Sequence, residues 1–555
     1  MSVADTEVDV LIVGGGPVGL TARALLERWG VRTLLVEKRR ALSPFPRSRL
    51  VNARSMEIYR QLGLAEGIAS RAFAPRFGHI RFRDTLCGGD FASAPVAGVN
   101  APIPESPVIG VVTSQDRLEP VLLAAAEARV RFGVELAGLA EGPRDVVASL
   151  VDHRHDGART RVRARYVLAA DGANSSVRRR LGIGTTGPGA LGDFTTVVFD
   201  ADLGRWCADR PAGVYFTAHG SFAPLYPEGG WAWFGPTPED PADVDWPALL
   251  ARALGPGDGV RADVLRVQHW VMNAFVAERL RSGRILLAGD AAHAVPVFGG
   301  LGMNAGLADV HNLCWKLAGV LRGWAGPGLL DTYEPERLPV AGRTLRRTVA
   351  NTRRALDVQG RRRERCASGG PARHEEIELP WSEGFFAQLG LVLGVAYRSG
   401  AVLGGDGTAP DADHPEPRDA DGGHTDGGHT DDAETDGAET DGTDGADTHY
   451  VPTAEPGHRM PHLWLTRDRS TLDALGPWFT LLTADPALWA HQSALPWPLR
   501  IEPLSGEHAR RCGLAPHGAL LVRPDGHIGA RWRGRPPAAS SLHDALTTIT
   551  SAPRP

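Results

Sequence analysis

Three glycines near the N-terminus have the spacing of a phosphate-binding turn. Gly14, Gly16 and Gly19 form the order GxGxxG directly after the apolar residues 8–13. In this pattern the first glycine permits a tight turn, the second lets a pyrophosphate approach the backbone, and the third lets a helix pack closely on the strand. The helical pattern of residues 20–29 would offer its N-terminal amides to the phosphates. The segment therefore predicts a strand, a phosphate-binding loop and a helix.

A carboxylate follows at the separation expected for a dinucleotide-binding unit. Glu37 ends a second apolar strand at residues 33–36 and lies 18 residues beyond Gly19. From this position a carboxylate accepts hydrogen bonds from the hydroxyls of an adenosine ribose. The βαβ pattern predicts that the chain binds a dinucleotide, but it does not separate FAD from NAD. The other residues assigned to this site are Pro17, Val18 and Lys38.

Three further turns carry the sequences of one flavoprotein family. Residues 171–178 read DGANSSVR after a strand at 166–170, residues 284–293 read RILLAGDAAH, and residues 296–304 read PVFGGLGMN before a helix that begins at Ala305. Together with the helix sequence NAGLADVHNLCWKLAGVL and its continuation LLDTYEPERLPVA, they resemble the class A flavoprotein aromatic hydroxylases, the group of p-hydroxybenzoate, phenol and polyketide hydroxylases. The resemblance covers nearly the whole chain except one polar linker.

This resemblance implies FAD as the cofactor. Asp171 belongs to a motif that the family associates with FAD and NADPH, although a β-turn that caps a helix explains Asp171 and Gly172 equally well. Asp290, preceded by Gly289, matches the aspartate that binds the flavin ribityl chain, and a strand ending in a turn is the alternative. The loop beside the isoalloxazine ring would consist of Pro296, Gly299, Gly300, Leu301, Gly302, Met303 and Asn304.

The glycine-rich loop suits the chemistry of a flavin. Reduced flavin carries negative charge at N1 and C2=O, and a glycine turn that opens a helix presents free N–H groups and the positive end of the helix dipole. Gly299, Gly300 and Gly302 also let the backbone approach the ring and leave space over its reactive face. In the family, oxygen adds there to form a C4a-hydroperoxide, so the cofactor supplies the difficult chemistry. A glycine loop without a ligand is the alternative for this stretch alone.

Two polar residues are assigned by the resemblance alone. Arg47, in PRSRLVNARSMEI, matches an arginine near the flavin, with Arg49 as an additional candidate, and either can be a surface charge instead. Gln115, in TSQDRLEPVLL, matches a glutamine that hydrogen-bonds the ribityl or phosphate part of FAD, and a solvated helix start is its alternative. His293 and His311 have no metal-ligand neighbours and receive no catalytic role. No general base is evident, so the catalytic residues stay unassigned.

An aromatic, strand-rich region follows the first flavin motifs. Strands are predicted at 195–199, 213–216 and 231–234, which indicates a β-sheet substrate domain at about 181–275. Such a sheet can wall a cavity and shelter the reaction from water. Ordinary core packing is the alternative interpretation of its aromatic residues. The residues proposed to contact the substrate are Tyr215, Phe216, Phe222, Trp231 and Trp233.

The last part of the chain divides into a linker and a small domain. Residues 404–449 consist mainly of Asp, Gly, Thr and His and are predicted to form a disordered acidic linker rather than a metal-binding tract. Residues 450–555 resemble the thioredoxin-like domain of phenol and polyketide hydroxylases. The sequence has no CxxC pair, so we expect a structural or assembly role rather than disulfide exchange.

The predicted fold class is α/β. A Rossmann-like FAD-binding domain, formed by residues 1–180 and 276–403, receives the β-sheet substrate domain as an insertion, and the thioredoxin-like domain ends the chain. A chain of 555 residues is long enough for several packed units and a large ligand cavity.

Composition narrows the functional classes. A net charge of −5 gives no electrostatic footprint for nucleic acid, and no apolar run approaches the roughly 20 residues of a membrane span. Five dispersed cysteines indicate neither a disulfide framework nor a zinc site, and the N-terminus lacks a signal-peptide pattern. We therefore predict a cytoplasmic protein without a nucleic-acid or membrane partner, with a homodimer among the oligomeric states left open.

The predicted activity is FAD-dependent aromatic monooxygenation. NADPH or NADH would reduce the flavin transiently, because no second glycine fingerprint holds a nicotinamide, and O2 and a small aromatic molecule would be the other substrates. Length, appended domain and composition resemble actinobacterial polyketide-modifying enzymes, which favours a polycyclic phenol. The alternatives are Baeyer-Villiger oxidation of a polyketide ketone, flavin or drug binding without turnover, and a plain NAD dehydrogenase.

Overall fold

The computed structural model describes residues 6–99, 101–256, 260–367, 388–404, 447–490 and 496–553. It confirms the predicted α/β class, with two large sheets and a smaller C-terminal sheet. Residues 405–446, which make up most of the predicted acidic linker, lie outside the described residues.

The described strands occur singly or in short runs that helices separate. In chain order the strands are β1 Thr6–Val13, β2 Thr33–Glu37, β3 Leu50–Val51, β4 His79–Arg83, β5 Asp90–Pro95, β6 Val111–Val112, β7 Val130–Phe132, β8 Val134–Glu141, β9 Val146–Asp152, β10 Ala158–Ala169, β11 Thr185–Asp200, β12 Val214–Thr217, β13 Gly220–Tyr226, β14 Gly229–Pro236, β15 Asp263–Ala277, β16 Arg281–Ser282, β17 Ile285–Leu287, β18 His293–Ala294, β19 Phe479–Thr483, β20 Leu499–Pro503, β21 Ala519–Val522 and β22 Ile528–Trp532.

The described α-helices range from one turn to 35 residues. In chain order they are α1 Pro17–Arg28, α2 Ala53–Gln61, α3 Ala65–Ala69, α4 Gln115–Ala124, α5 Ser176–Arg180, α6 Gly204–Cys207, α7 Trp246–Leu254, α8 Gly302–Arg322, α9 Tyr333–Ala367, α10 Leu389–Leu393, α11 Pro486–Trp489, α12 Gly506–Arg511 and α13 Ser541–Ile549. Within the described ranges, none of these helices has the combination of length and apolar character that a membrane crossing requires.

The first large sheet places several loops at one edge. Its order is β16-β17-β10-β1-β2-β7, with β9 added beside β10 and β8 beside β9. β1 runs parallel to β10 and β2, and β10 runs parallel to β17. The carboxyl ends of parallel strands meet at the same edge, so the residues that follow β1, β2, β10 and β17 emerge together there. The predicted βαβ unit is confirmed, because α1 connects β1 and β2.

The second large sheet is mostly antiparallel and has the order β18-β15-β11-β14-β13-β12-β4-β5. Its β4 and β5 come from residues 79–95, far earlier in the chain than the other strands. One face packs on α7 through Leu250 and Leu254, and the other packs on α9 through Ala355 and Val358. The middle of the sheet, at β12, β13 and β14, is therefore mostly buried, whereas parts of β11 and β15 are exposed.

The C-terminal sheet has the order β20-β19-β21-β22. Leu542 and Leu546 of α13 pack against its core, which continues without a break to Trp315 of α8 and to Leu329. This shared apolar core attaches the C-terminal domain to the helices of the FAD-binding domain.

Candidate functional site

The glycine loop between β1 and α1 has two glycines that the protein itself requires. Gly14 has φ of +111°, and a Cβ there would lie 2.2 Å from the carbonyl oxygen of Ala170. A Cβ on Gly19 would lie 2.0 Å from the carbonyl oxygen of Gly14. A Cβ on Gly16, in contrast, would meet no heavy atom of the described residues within 4 Å. The first and third glycines serve packing, whereas the second faces open space, as the second glycine of a phosphate-binding turn does.

Glu37 connects this loop to the second strand. Its carboxylate accepts hydrogen bonds from the backbone N–H of Gly15 at 2.7 Å and of Arg39 at 2.9 Å. Each carboxylate oxygen keeps a further lone pair for another donor, such as a ribose hydroxyl. Lys38, which we also predicted to lie at this site, is exposed beside it.

The segment that carries Arg47 is held by the first turn of α4. Gln115 donates from Nε2 to Glu119 at 2.7 Å and accepts the backbone N–H of Ser48 at 3.4 Å. Glu119 also accepts the backbone N–H of Ser43 at 3.1 Å. Arg47 is exposed, and it lies within electrostatic range of Glu119, Asp290 and Glu37. Gln115 thus acts here as a positioning group for the Arg47 segment.

Arg49 points away from this cluster. Its guanidinium packs against the second sheet, where it donates hydrogen bonds to the backbone carbonyl of Gly213 at 2.6 Å and to that of Pro224. Its burial lowers the pKa of the guanidinium to about 10.

Asp171 caps the short helix α5. Its carboxylate accepts the hydroxyl of Ser175 at 2.6 Å and the backbone N–H groups of Ser176 and Val177 at 2.8 and 3.2 Å. This is the helix-cap alternative that the sequence left open. The turn lies directly against the glycine loop, because a Cβ on Gly14 would lie 3.0 Å from the backbone nitrogen of Asp171.

In the turn after β17, Asp290 is exposed and the preceding Gly289 is buried. Gly289 has φ of +60°, and its backbone N–H donates to Asp309 of α8 at 3.0 Å. Protein packed around the Asp290 carboxyl partly desolvates it and so raises its pKa, although its side chain is open to solvent on one side, and the charges of His293 and Arg47 oppose that shift. An exposed carboxylate with a raised pKa on a strand-end turn is a candidate for ligand binding.

A buried ionic group beneath this turn escaped the sequence analysis. Asp309 accepts His293 Nε2 at 2.6 Å and Arg337 Nε at 2.8 Å, and all three side chains are at most 2% exposed. Burial alone would raise the pKa of Asp309, but His293 and Arg337 hold it well below its usual range. The group fixes the Gly289 turn on α8. His293 lies in a segment that the sequence showed as a family motif, and Asp309 and Arg337 lie in the helix sequence and its continuation.

The loop that precedes α8 has the backbone geometry expected of a ring-binding turn. Gly299 and Gly300 have φ of +110° and +65°, values that favour glycine. Among the described residues, no side chain caps the N-terminus of the 21-residue α8, so within this part of the chain its first amides have no capping partner. Asn304 in its first turn donates to the carbonyl of Leu50 at 2.9 Å and accepts the Ser55 hydroxyl at 2.7 Å.

These loops pack against one another. Val18 is the common contact, since Cβ atoms on Gly289 and Gly306 would lie 3.0 and 2.6 Å from its Cγ2 atom. A Cβ on Gly300 would lie 3.0 Å from the side chain of Leu50, which precedes α2. The open side of Gly16, the exposed Asp290 and the uncapped start of α8 together fit an extended dinucleotide with an anionic ring.

The predicted substrate aromatics divide between the two faces of the second sheet. The core between the sheet and α7 contains Tyr215, Phe222, Trp231 and Trp233. Phe216 lies on the other face because successive strand residues alternate. There it stacks on Phe298 of the glycine-rich loop, with ring centroids 5.7 Å apart.

The face that bears Phe216 contains aromatic residues that the sequence analysis did not single out. Phe82 stacks on Phe216 with ring centroids 5.3 Å apart, and Phe194 stacks on Trp270 at the same distance. Because side chains alternate along β4, β11 and β15, the sequence shows which residues share a face of the sheet. It does not show which face the glycine-rich loop contacts, and that contact identifies the face toward the cavity.

A turn of the C-terminal domain is buried among the helices behind the site. Arg523 and Asp525, between β21 and β22, are 0% and 1% exposed. Asp525 accepts Trp315 Nε1 of α8 at 3.2 Å, and Arg523 donates to Glu336 of α9 at 2.6 and 2.9 Å. Turns normally lie at the surface, so this one acts as part of the interface between domains.

A second ionic contact joins the C-terminal domain to α2. Arg459 donates from Nε to Glu57 at 2.9 Å, and both side chains are 1% exposed. Arg54 pairs with the same carboxylate at 3.0 Å and donates to the backbone carbonyl of Asp525 at 2.7 Å. Because Ser55 of α2 bonds Asn304, the C-terminal domain supports the start of α8.

Two family models match most of the chain. A model described as "FAD binding domain" matches residues 7–348, and one described as "Aromatic-ring hydroxylase, C-terminal" matches residues 453–553. The chain is 34% identical to aklavinone 12-hydroxylase RdmE of Streptomyces purpurascens, with 98% of each chain covered. It is 33% identical to tetracenomycin A2 monooxygenase-dioxygenase of Streptomyces glaucescens, with 98% of this chain and 97% of that one covered.

Solved structures show the same likeness. The flavin-dependent monooxygenase PieE, solved with FAD and substrate, superposes with a TM-score of 0.81 at 31% identity, covering 99% of this chain and 100% of that one. An aklavinone-11 hydroxylase, solved with FAD and aklavinone, has a TM-score of 0.77 at 31% identity with the same coverage.

Proposed function

The chain belongs to the FAD-binding aromatic-ring hydroxylase family, and from this premise we propose that it hydroxylates a phenolic ring of a polycyclic polyketide aromatic. NADPH or NADH supplies the electrons, and O2 supplies the oxygen atom. The observation that carries the proposal is the convergence of the glycine loop, the Asp290 turn and the uncapped start of α8 in a chain similar over its whole length to hydroxylases of polycyclic aromatics.

The residues at the carboxyl edge of the first sheet are assigned to the nucleotide. Glu37 accepts the ribose hydroxyls, with Lys38 beside it. Gly16, with open space over its Cα atom, lies against the pyrophosphate, as do its neighbours Pro17 and Val18. These contacts place the anionic phosphates at the N-terminus of α1, where the helix dipole stabilises negative charge.

The middle of the cofactor is assigned to the side chains around the Arg47 segment. Asp290 binds hydroxyl groups of the ribityl chain, and Arg47 balances its charge. Gln115 keeps that segment in place through Ser48. Asp171 contributes by fixing its turn against Gly14 rather than by direct contact.

The start of α8 is assigned to the ring. Bound FAD supplies electron transfer from the nicotinamide and the activation of oxygen. The free amides of residues 302–304 donate to the polar edge of the ring and stabilise negative charge there. Asn304 holds this turn by bonds to Leu50 and Ser55, and Pro296 and Leu301 shape the loop.

The substrate is assigned to the space between this loop and the second sheet. Phe298 and Phe216 provide flat apolar surfaces for a planar ring, and they lie on the face that the glycine-rich loop contacts. Tyr215, Phe222, Trp231 and Trp233 support the sheet from behind. The wall also excludes water from the reacting atoms.

The test is turnover of the yellow holoenzyme with NADPH, air and a panel of polycyclic phenols. We expect substrate-stimulated NADPH oxidation and a product with one added hydroxyl group, identified by mass and NMR spectra. A lactone or a cleaved ring would assign Baeyer-Villiger chemistry instead. Tight binding of the phenols without NADPH consumption would support a binding protein and contradict the proposal.

We also place the enzyme in the reducing cytoplasm, since all five cysteines are free thiols in the structure. The homodimer stays a prediction, which the molar mass of the holoenzyme in solution tests.

A further inference from the structure

A buried amide on α9 has no partner in the described part of the protein. Asn351 is 0% exposed, and among the described residues neither its Nδ2 nor its Oδ1 atom has a hydrogen-bond partner. Burying an unpaired amide carries a desolvation penalty that stable proteins usually avoid. Where such a group persists, a ligand or an ordered water that completes its bonds is the usual reason.

The position of Asn351 narrows the choice of ligand. A Cβ on Gly299 would lie 3.6 Å from Asn351 Nδ2 and 2.7 Å from Gln388 Nε2, so the Asn351 amide lies beside the glycine-rich loop together with the Gln388 amide. One turn further along α9, Ala355 packs with Phe216 and Phe298. Residues i and i+4 share a helix face. Asn351 therefore lies between the loop assigned to the flavin ring and the aromatic wall of the second sheet.

We infer that Asn351 binds the substrate, its amide pairing with a phenol hydroxyl and a neighbouring carbonyl on one edge of a planar polycyclic ring. This inference rests on the proposed function. A primary amide both donates and accepts hydrogen bonds, so it matches an edge that carries a donor beside an acceptor. The rings of Phe82, Phe216 and Phe298 stack on one another and form an apolar wall near this amide.

The flavin is the competing partner for this amide. The polar edge of the flavin is assigned to the backbone donors of residues 302–304, for which no side-chain cap exists among the described residues. Asn351 approaches the loop at Gly299, before those donors, on the side where Phe298 stacks with the sheet. The Asn351 amide is therefore assigned to the substrate ring, which lies against the second sheet.

The test compares two probes in wild-type and Asn351→Leu holoenzyme. The probes are 1-hydroxyanthraquinone, which carries the hydroxyl and carbonyl pair, and anthracene, which lacks both. Binding is followed by the change in flavin fluorescence. We expect the wild type to prefer the hydroxyquinone by about tenfold or more, and Asn351→Leu to lose that preference.

A second readout separates a ligand-binding role from a structural one. Leucine has nearly the size of asparagine and removes both unpaired atoms, so the ligand-free Asn351→Leu holoenzyme should melt about 2 °C higher than the wild type. A structural asparagine would give the opposite shift. Asn351→Ala provides the same probe comparison in case leucine prevents folding.

Thr352→Val is the matched control. The Thr352 hydroxyl is buried and donates to the Thr348 carbonyl at 2.7 Å within the helix, so its loss should leave the probe preference unchanged. An Asn351→Leu enzyme that keeps the wild-type preference overturns the inference. An Asn351→Leu protein that releases FAD but keeps the probe preference also overturns it, because the amide would then bind the flavin and not the substrate. A wild-type holoenzyme that binds neither probe contradicts the proposed function as well.

Discussion

At the scale of single residues, Asp290 carries the most specific assignment in the cofactor site. Its side chain is exposed, and the backbone N–H of the preceding Gly289 is tied to Asp309. The aspartate therefore has a fixed position without being needed for packing. This separation of roles makes it a suitable residue for testing cofactor binding.

Asp290→Ala should fold normally and lose FAD. A hydrogen bond to a charged group contributes about 1.5–3 kcal/mol, so the dissociation constant for FAD should rise by about one to two orders of magnitude. Fluorescence titration of the apoprotein with FAD measures this change. Asp331→Ala is the control, since Asp331 is exposed and, in the part of the chain that the structure describes, pairs with Arg281 alone. Full flavin occupancy in Asp290→Ala would contradict the assignment.

At the scale of elements, the glycine loop gives a paired prediction. Gly16→Ala should leave stability nearly unchanged because its Cβ meets no atom within 4 Å, yet it should weaken FAD binding because that space is assigned to the pyrophosphate. Gly19→Ala should destabilise the protein, because its Cβ would lie 2.0 Å from the Gly14 carbonyl oxygen. Thermal melting of the apoproteins and FAD titration measure the two effects. A Gly16→Ala protein with unchanged FAD affinity would place the phosphates elsewhere.

The elements that sequence predicted well are those with a strong local signal. β1, α1 and β2 follow directly from apolar periodicity and the spacing of glycines, and the structure has them at Thr6–Val13, Pro17–Arg28 and Thr33–Glu37. The strand-end turns at Asp171 and Gly289 were found because they carry family motifs. Asp309 was not found, because its role depends on His293 and Arg337, which only the tertiary fold brings to it.

Side-chain direction in the second sheet was harder to predict. Tyr215 and Phe216 are neighbours in sequence but face different layers, and nothing local says which layer contains the cavity. The contribution of β4 and β5 to the same sheet is also non-local, since β4 pairs with β12 over 130 residues away. Such pairings depend on the complete fold.

At the scale of the whole molecule, the C-terminal domain is joined to the cofactor-binding helices by buried charges. The turn at Arg523 and Asp525 has a sequence typical of an exposed turn, and only the packed structure shows that α8 and α9 enclose it. Arg459 and Glu57 form a second junction, which leads through α2 to Asn304. If this domain has the structural role that we expect, breaking these buried ionic contacts should destabilise the protein.

Arg459→Leu should destabilise the entire protein. It leaves Glu57 buried with Arg54 as the remaining cationic partner among the described residues, and breaking a buried ion pair from one side costs about 3–5 kcal/mol. Urea unfolding monitored by flavin release measures the loss. Arg511→Leu is the control in the same domain, because the Arg511–Glu507 pair is exposed and contributes less than about 1 kcal/mol. Equal stability of both variants would show that the junction is not stabilising.

The same junction predicts a pH dependence. Burial alone would raise the pKa of Glu57, but Arg459 and Arg54 outweigh it and lower the pKa below the usual 4.5. A carboxyl whose pKa is lowered by folding stabilises the protein above its unfolded pKa, and this contribution is lost as the pH falls through the folded value. Glu57→Gln should therefore lose less stability than the wild type between about pH 6 and pH 3. Urea unfolding at each pH measures both stabilities. Equal losses in the wild type and in Glu57→Gln would show that Glu57 does not cause the pH dependence.

The central claim is that this fold uses FAD to transfer one atom of dioxygen to an aromatic ring. The most direct measurement supplies the holoenzyme with NADPH, isotopically labelled dioxygen and a polycyclic phenol, and then records the mass and NMR spectra of the product. The account predicts one labelled oxygen atom per molecule of product, present as a new hydroxyl group on the ring. A colourless protein that takes up no FAD, or a hydroxylated product without the label, would contradict it.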